Sequence, residues 1–313
     1  MPNQPLPPLQ VVAIRYFSDR PTGDEEGVVA AYAASRAYEA VGVDYEIVEP
    51  QFPEAERTED APYNLGLLGG AIADVVAEAR RKGQAVLMTG GNCSHATGLL
   101  GGLQDAHGAD ARVGLVWFDA HGDYNTPHTT LTGRLGGMPV AVCAGLALPR
   151  WRETSHISAP LPTDRIVLVD VRNLDSPEAA LINATETVIA APAPGFPGVD
   201  LEVAVADLAS RVDMLYLHVD ADVLDAAYVP NHWTVEPNGP TMAQVLAAVD
   251  TVMATGKVVA SALVSVRAEG DGAETSVASG IELLRGMLIS WHRHGAPGLT
   301  PPAPSVGTGR RPV

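Results

Sequence analysis

Three short segments concentrate residues able to hold a cation or move a proton. They are Gly90-Gly91-Asn92-Cys93-Ser94-His95, Asp119-Ala120-His121-Gly122-Asp123 and Asp220-Ala221-Asp222. In an extended segment, side chains at i, i+2 and i+4 share one face, so Asp119, His121 and Asp123 are expected to converge, as are Asp220 and Asp222. Four carboxylates and an imidazole gathered in one place repel strongly unless cations stand between them. Ligands that are mostly oxygen with one nitrogen suit Mn²⁺ or a similar divalent ion, and bridging carboxylates suit a pair. The segments differ in weight. Asp-Ala-Asp after a strand is commonly a turn or helix cap, and Gly90-Gly91 alone is a weak sign of a tight turn. Asp-x-His-x-Asp is sharper, because three ionisable groups on one face are hard to satisfy structurally. His95, His128, His156 and His218 receive no role.

These segments need elements to position them. Short apolar runs recur at Val11–Tyr16, Tyr45–Val48, Ala85–Thr89, Val113–Phe118, Ile166–Val171, Val188–Ala191, Leu215–Val219 and Val258–Val264. Their near-continuous apolarity predicts strands buried on both faces of a parallel sheet. Ala-rich stretches with helical spacing lie between several of them, at Val28–Ala40, Leu67–Arg81, Val203–Arg211 and Met242–Ala254, with a last helix at Gly280–Trp291. Strand–helix alternation predicts one α/β domain over residues 1–295, with helices on both faces of the sheet. Each polar segment then falls at the carboxyl end of a strand, where open α/β sheets bind ligands. The stretches Pro50–Tyr63 and Ala191–Gly198 read as loops, and the Pro/Gly-rich residues 296–313 as a flexible tail.

Composition narrows the function classes. The 313 residues carry 20 Lys plus Arg against 37 Asp plus Glu, a formal net charge of −17. That balance argues against nucleic-acid partners, which need a basic face, and against an anionic membrane surface. No apolar run approaches the roughly 18 residues of a spanning helix. The first residues lack a basic region followed by an apolar core, so no secretory signal is expected. Cys93 and Cys143 cannot build a disulfide framework and fit a reducing, cytoplasmic setting. Cys143 reads as a core residue.

In order along the chain, the motifs resemble those of the ureohydrolase superfamily of arginases, agmatinases and formiminoglutamases. Gly23-Asp24-Glu25-Glu26-Gly27 is similar to an early Gly/Glu-Glu-Gly loop, and Gly90-Gly91-Asn92-Cys93-Ser94 stands where members carry Gly-Gly-Asp-His-Ser. Asp119–Asp123 is the Asp-Ala-His-x-Asp signature, His218–Asp222 resembles Ser-x-Asp-x-Asp, and Thr234–Gly239 resembles Thr-Pro-x-x-Gly-Gly. The resemblance implies a three-layer α/β/α sandwich around an eight-stranded, mainly parallel sheet, in homo-oligomers (trimers or hexamers). It implies two Mn²⁺ per chain. Asp119, Asp123 and Asp220, with the position of Cys93, would hold the first ion; His121 and Asp222, with bridging Asp119 and Asp220, would hold the second. A hydroxide between the ions would attack the guanidinium carbon, with Asp123 orienting it and taking up its proton, and His121 beside it at the centre. For substrate, Asn125 and Thr132 match an arginase contact with the α-carboxylate, Asp175 the contact with the α-ammonium group, and Thr234 joins the binding set. Turn chemistry is the plainer account of Asn125 and Asp175.

Three positions depart from that pattern. Cys93 replaces a ligating histidine; it is either a softer ligand, favouring Zn²⁺ or weakening the first site, or a buried thiol. Gly136 stands where arginases have a proton-shuttling histidine. Arg267 falls where the family places a guanidinium-binding glutamate, a conflict that Glu269 or Glu274 could relieve. The expected function is a metal-dependent hydrolase of the guanidino C–N bond of arginine or Nω-hydroxy-arginine, releasing urea or hydroxyurea. The alternatives are a formiminoglutamase-like hydrolase, in which Arg267 would meet a distal negative charge, and a catalytically degenerate scaffold.

Overall fold

A computed structural model describes residues 8–294; the expected tail, 296–313, lies outside the described residues. Nine strands form the main sheet: β1 (Leu9–Ile14), β2 (Tyr45–Val48), β3 (Ala85–Gly90), β4 (Val113–Phe118), β5 (Ile166–Val169), β6 (Val188–Ala191), β7 (Val199–Asp200), β8 (Met214–Asp220) and β9 (Val258–Val264). Their order is β2-β1-β3-β9-β8-β4-β5-β6-β7, and every pairing in this sheet is parallel. The eight expected strands are present. The ninth, β7, is two residues at the sheet edge, too short to leave a periodic signal. A small antiparallel hairpin pairs Tyr16–Phe17 with Arg20–Pro21.

Nine α-helices flank the sheet among the described residues: α1 (Gly23–Ala34), α2 (Ala61–Arg81), α3 (Ala96–His107), α4 (Pro139–Cys143), α5 (Pro149–Thr154), α6 (Ser176–Asn183), α7 (Leu201–Arg211), α8 (Met242–Met253) and α9 (Ala273–Arg293). Successive strand residues feed opposite cores. Val116 and Phe118 pack with residues of α1, α7, α8 and α9, while Leu115 and Trp117 pack with α2, α3, α4 and α6. This is the two-sided burial that continuous apolar strands require.

Several helix limits differ from the sequence reading. Helix α1 starts early because the Thr22 side chain caps it, accepting from the Glu25 amide; it ends before Arg36, whose φ is 56°. Helix α2 starts inside the expected loop, capped by Asp60 with Pro62 in its first turn, where a proline's missing N–H breaks no intrahelical bond. Helix α9 begins before Gly280, at Ala273. Helix α3 was not expected, since Gly98, Gly101 and Gly102 lower its intrinsic propensity. Close packing explains them: a Cβ on Gly98 would meet the Gly69 carbonyl oxygen at 2.6 Å and Ile72 Cβ at 2.7 Å.

The register of the central strands aligns the site. Thr89, Leu263, Val219 and Phe118 form one row across β3, β9, β8 and β4. One residue further on, Asp220 and Asp119 emerge side by side. On β3 the chain turns sharply at Gly90 (φ +78°), where a Cβ would lie 2.6 Å from the Ile14 carbonyl oxygen. The next amide, Gly91 N–H, donates to buried Glu25 Oε2 at 2.6 Å. Burial pushes Glu25 up to about 8, against the opposing effect of that Gly91 hydrogen bond.

Two predictions follow from this packing. Gly98→Ala gains up to about 1 kcal/mol of helix propensity but overpacks at a cost of about 1–3 kcal/mol. The variant should therefore unfold at lower urea concentration, and equal or greater stability would refute the close-packing account. For Glu25, a folded pKa above the unfolded value gives stability that is complete below about pH 4.5 and fades as pH rises toward about 8. Glu25→Gln keeps an acceptor for Gly91 without ionising. Between pH 5 and 9 it should lose less unfolding free energy than the parent chain; parallel pH profiles would contradict the burial argument.

Candidate metal centre

Strands β4 and β8 end in the same local device. Asp119 Oδ1 accepts the His121 amide at 2.7 Å, and Asp220 Oδ1 accepts the Asp222 amide at 2.9 Å. Each aspartate thus ends its strand by bonding the backbone two residues on. The convergence of Asp119, His121 and Asp123 therefore arises from a turn, not from the extended alternation expected from sequence. Asp123 completes the turn with φ 47°, a strained conformation that Asp tolerates better than most residues. One cross-link joins the two strand ends, the Ala120 amide donating to Asp222 Oδ1 at 3.2 Å; within β4, Trp117 Nε1 donates to Asp119 Oδ2 at 3.1 Å. From β9, Ser265 Oγ donates to Asp220 Oδ2 at 2.5 Å.

The four carboxylates are almost fully buried, at 1% exposure for Asp119, 7% for Asp123, 4% for Asp220 and 1% for Asp222. Burial drives Asp119 well above the usual carboxylate range, reinforced by the charges of Asp222 and Asp220. Burial does the same to Asp123, with Asp119 adding repulsion. Asp222 moves the other way: burial would raise it, but the neighbouring His232 and His121 imidazoles outweigh that. His121 is half-buried, and the desolvation that would lower its pKa is outweighed by its hydrogen bonds with Asp119 and Asp222, which raise it. Its Nδ1 lies 3.2 Å from Asp119 Oδ1 and 3.1 Å from Asp222 Oδ2, while Nε2 meets Glu236 Oε1 at 3.0 Å. A carboxylate on the far nitrogen is how metal-ligating histidines are usually oriented.

Cys93 sits on the same floor. Its Sγ is 2.9 Å from Asp220 Oδ2, 3.6 Å from Asp119 Oδ2 and 3.3 Å from His218 Nε2. Burial, with Asp220 next, pushes the thiol well up. His218 has a local role: it stacks on Trp117 at 3.6 Å between ring centroids, and its Nδ1 meets Tyr216 Oη at 2.7 Å. Three sets of potential ligands emerge, each with atoms within 4.8 Å: Cys93, Asp119 and Asp220; Asp119, His121 and Asp222; Asp220, Asp222 and His232. Neighbouring sets share a carboxylate, and His232 Nε2 is buried without a hydrogen-bond partner. Oxygen-rich, mutually repelling and carrying one orphaned imidazole nitrogen, the residues fit divalent cations. Cys143, by contrast, is a core residue in the cluster with Tyr216.

A cavity of about 300 Å³ opens above this floor, and Asn125, Thr132, Asp175 and Thr234 all line it. Asp175 stands at the N-cap of α6 without making a side-chain capping bond, so its carboxylate is not used up by turn chemistry. Asn125 Oδ1 accepts from Thr129 Oγ1 at 2.9 Å, and Thr132 lies on an exposed turn. Thr234 Oγ1 donates to Asp222 Oδ2 at 3.2 Å. Gly136 lines the cavity, with no heavy atom within 4 Å of where its Cβ would be.

Arg267 does not line the cavity, contrary to the expectation that it faces the substrate. Its Nε pairs with Asp24 Oδ2 at 2.8 Å, Nη1 donates to the Asn231 carbonyl at 3.0 Å, and the guanidinium lies 4.0 Å over the Trp233 ring. The conflict of a cation beside a cationic substrate is thereby removed. Glu269 and Glu274 are also absent from the lining. Sequence reasoning gave no role to His232, Glu236, Glu178, Ser265 or Arg172. Glu178 lines the cavity and accepts the Tyr124 amide at 2.9 Å, and burial raises its pKa. Arg172 donates to carbonyls of Asp222 at 2.8 Å and Glu236 at 3.1 Å, tying the loop after β8 to the segment containing Thr234. Glu236 lies in the Thr234–Gly239 segment already singled out, and Arg172 and Glu178 each lie three residues from Asp175. His232 precedes Thr234 by two residues, with nothing in its spacing to mark it.

The arginase-family profile matches residues 19–289. An arginase from Bacillus caldovelox is 32% identical over a stretch covering 54% of this chain and 57% of that protein's length. An N(omega)-hydroxy-L-arginine amidinohydrolase from Streptomyces lavendulae is 31% identical over 66% of this chain and 71% of its own length. The crystal structure of arginase from Bacillus cereus has the same fold, with a TM-score of 0.77 at 21% identity, covering 90% of this chain and 98% of that one. With a match that runs from the hairpin before α1 to the last turns of α9, the chain belongs to the arginase family.

Proposed function

We propose that the chain is a metal-dependent C–N hydrolase acting on the guanidino group of an arginine-like amino acid, with Nω-hydroxy-arginine preferred to arginine. The observation that carries this reading is the make-up of the cavity lining: a carboxylate–imidazole floor together with the uncommitted carboxylate of Asp175, Asn125 and Thr132. Asp119, His121, Asp123, Asp220 and Asp222 would hold divalent ions of the Mn²⁺ kind, which when bound would supply an acidified water and a polarised substrate group. Asp123, facing the cavity in its left-handed turn, is the carboxylate assigned to proton transfer. Asp175 pairs with the α-ammonium group, and Asn125 and Thr132 donate to the α-carboxylate.

Two departures bear on the substrate, and the second favours the hydroxylated one. Gly136 brings no acid or base to the leaving amine, and the Arg267 segment brings no carboxylate to a guanidinium. A hydroxyl on the guanidino group withdraws electrons and makes the group less basic, so the missing carboxylate matters less; the hydroxyl stays with the hydroxyurea, and the leaving amine is the same alkylamine in either substrate. The formiminoglutamase-like alternative loses its motive, because Arg267 is engaged by Asp24 and Asn231.

The test is colorimetric detection of hydroxyurea and urea from the Mn²⁺-loaded chain. Nω-hydroxy-arginine should exceed arginine in kcat/KM by about tenfold or more. The reverse order would refute the substrate preference, and no product from either would refute the hydrolase. Gly136→His, which has space for its Cβ, should raise arginine turnover by up to the roughly 10²-fold at the lower end of general acid–base effects. Because both substrates release the same amine, both should gain; unchanged turnover of both would remove Gly136 from the explanation.

A further inference from the structure

The loop after β8 carries an imidazole with no partner for one of its nitrogens. His232 has a side chain only 6% exposed, and its Nε2 is buried with no hydrogen bond. That nitrogen lies 3.3 Å from Asp220 Oδ1. The other nitrogen, Nδ1, meets the Thr234 carbonyl oxygen at 2.9 Å; the Thr234 amide is further away, at 3.2 Å. The shorter contact directs Nδ1 at the carbonyl and turns Nε2 toward Asp220, with Asp222 Oδ2 lying 3.5 Å from Nδ1. A backbone carbonyl on one ring nitrogen and a cation on the other is the usual arrangement of a ligating histidine. Two ligand atoms each about 2.1 Å from one ion, at about 90–110°, lie about 3.0–3.5 Å apart, which brackets the observed separation.

The loop is pinned on both sides of His232. Arg267 donates to the Asn231 carbonyl and stacks on Trp233, and Asn231 Nδ2 donates to the Glu269 carbonyl at 2.9 Å. The imidazole is therefore held in place before any ion arrives.

We propose that His232 is a metal ligand, its Nε2 joining Asp220 and Asp222 around a divalent ion and supplying the centre with the imidazole absent at Cys93. The inference rests on reading the site as a metal centre. With His121, Cys93 and His232 near one set of carboxylates, the centre is richer in nitrogen and sulfur than an all-oxygen site. It should then hold Zn²⁺ or Co²⁺ more tightly than Mn²⁺.

The experiment titrates the chelator-stripped full chain, and its His232→Ala variant, with Mn²⁺, Zn²⁺ and Co²⁺ by calorimetry. Bound metal is measured by mass spectrometry, together with the visible spectrum of the Co²⁺ form. The variant should bind at least one ion per chain about 100-fold more weakly, lose most of the Zn²⁺-over-Mn²⁺ preference and show altered Co²⁺ bands. Its metal-free melting temperature should match the parent's, which separates ligand loss from misfolding. If that temperature falls, His232→Gln, which keeps a polar side chain in the pocket, takes its place and should show the same loss of affinity. Equal affinities and spectra in parent and variant would overturn the ligand assignment while leaving the hydrolase reading intact. A parent chain that binds none of the three ions would overturn both.

Discussion

Four buried carboxylates at one end of a sheet cannot all be ionised without cations among them. Desolvating even one anion costs several kcal/mol unless it is paired and hydrogen-bonded, and here each also repels its neighbours. Without an ion the cluster divides: Asp119 and Asp123 are driven toward the neutral form, while Asp222 stays ionised against His121 and His232. The imidazoles occupy the electrostatic role that divalent ions would take. Much of the surrounding structure can be understood as holding these groups together against that repulsion.

The sheet does so through register. Because β3, β9, β8 and β4 are parallel and end nearly in one row, consecutive strand ends deliver side chains to one place from widely separated parts of the chain. The backbone then has to turn within one or two residues. Asp170 and Ser265 take positive φ directly after strand ends, and Asp123 does so at the close of the turn after β4, conformations that cost of order 1–3 kcal/mol each for residues other than glycine. Side-chain hydrogen bonds offset that cost: Ser265 Oγ to Asp220 Oδ2, and Arg172 binding both the Asp170 carboxylate and the carbonyls of the β8 loop.

Legibility in sequence follows from how local the physics is. The strands could be read because two-sided burial forces continuous apolar runs, and the aspartates because they fall immediately after those runs. Helix α3 could not, since its glycines are explained only by the Gly69 carbonyl and Ile72 that they touch. Pro62 misled because a proline that excludes a helix interior is acceptable in a first turn. Arg267 misled for a related reason: its position along the chain is near the site, but Asp24, far away in sequence, turns its guanidinium aside. His232 carries no local mark, because its significance lies in distances to Asp220 and Asp222.

The departures at Cys93, Gly136 and Arg267 look independent in sequence, which invites the view of a decaying site. In three dimensions two of them meet. Arg267 holds the Asn231–Trp233 stretch, and that stretch carries an imidazole to the carboxylates whose neighbour Cys93 has none. Decay has no reason to keep four costly buried aspartates ionisable, nor to bury His232 with an unsatisfied nitrogen facing them. An unpaired buried polar atom costs about 1–3 kcal/mol, a burden without benefit unless something binds there. The arrangement is better explained as a centre rebuilt around a histidine from a different loop, with Gly136 leaving room on the substrate side.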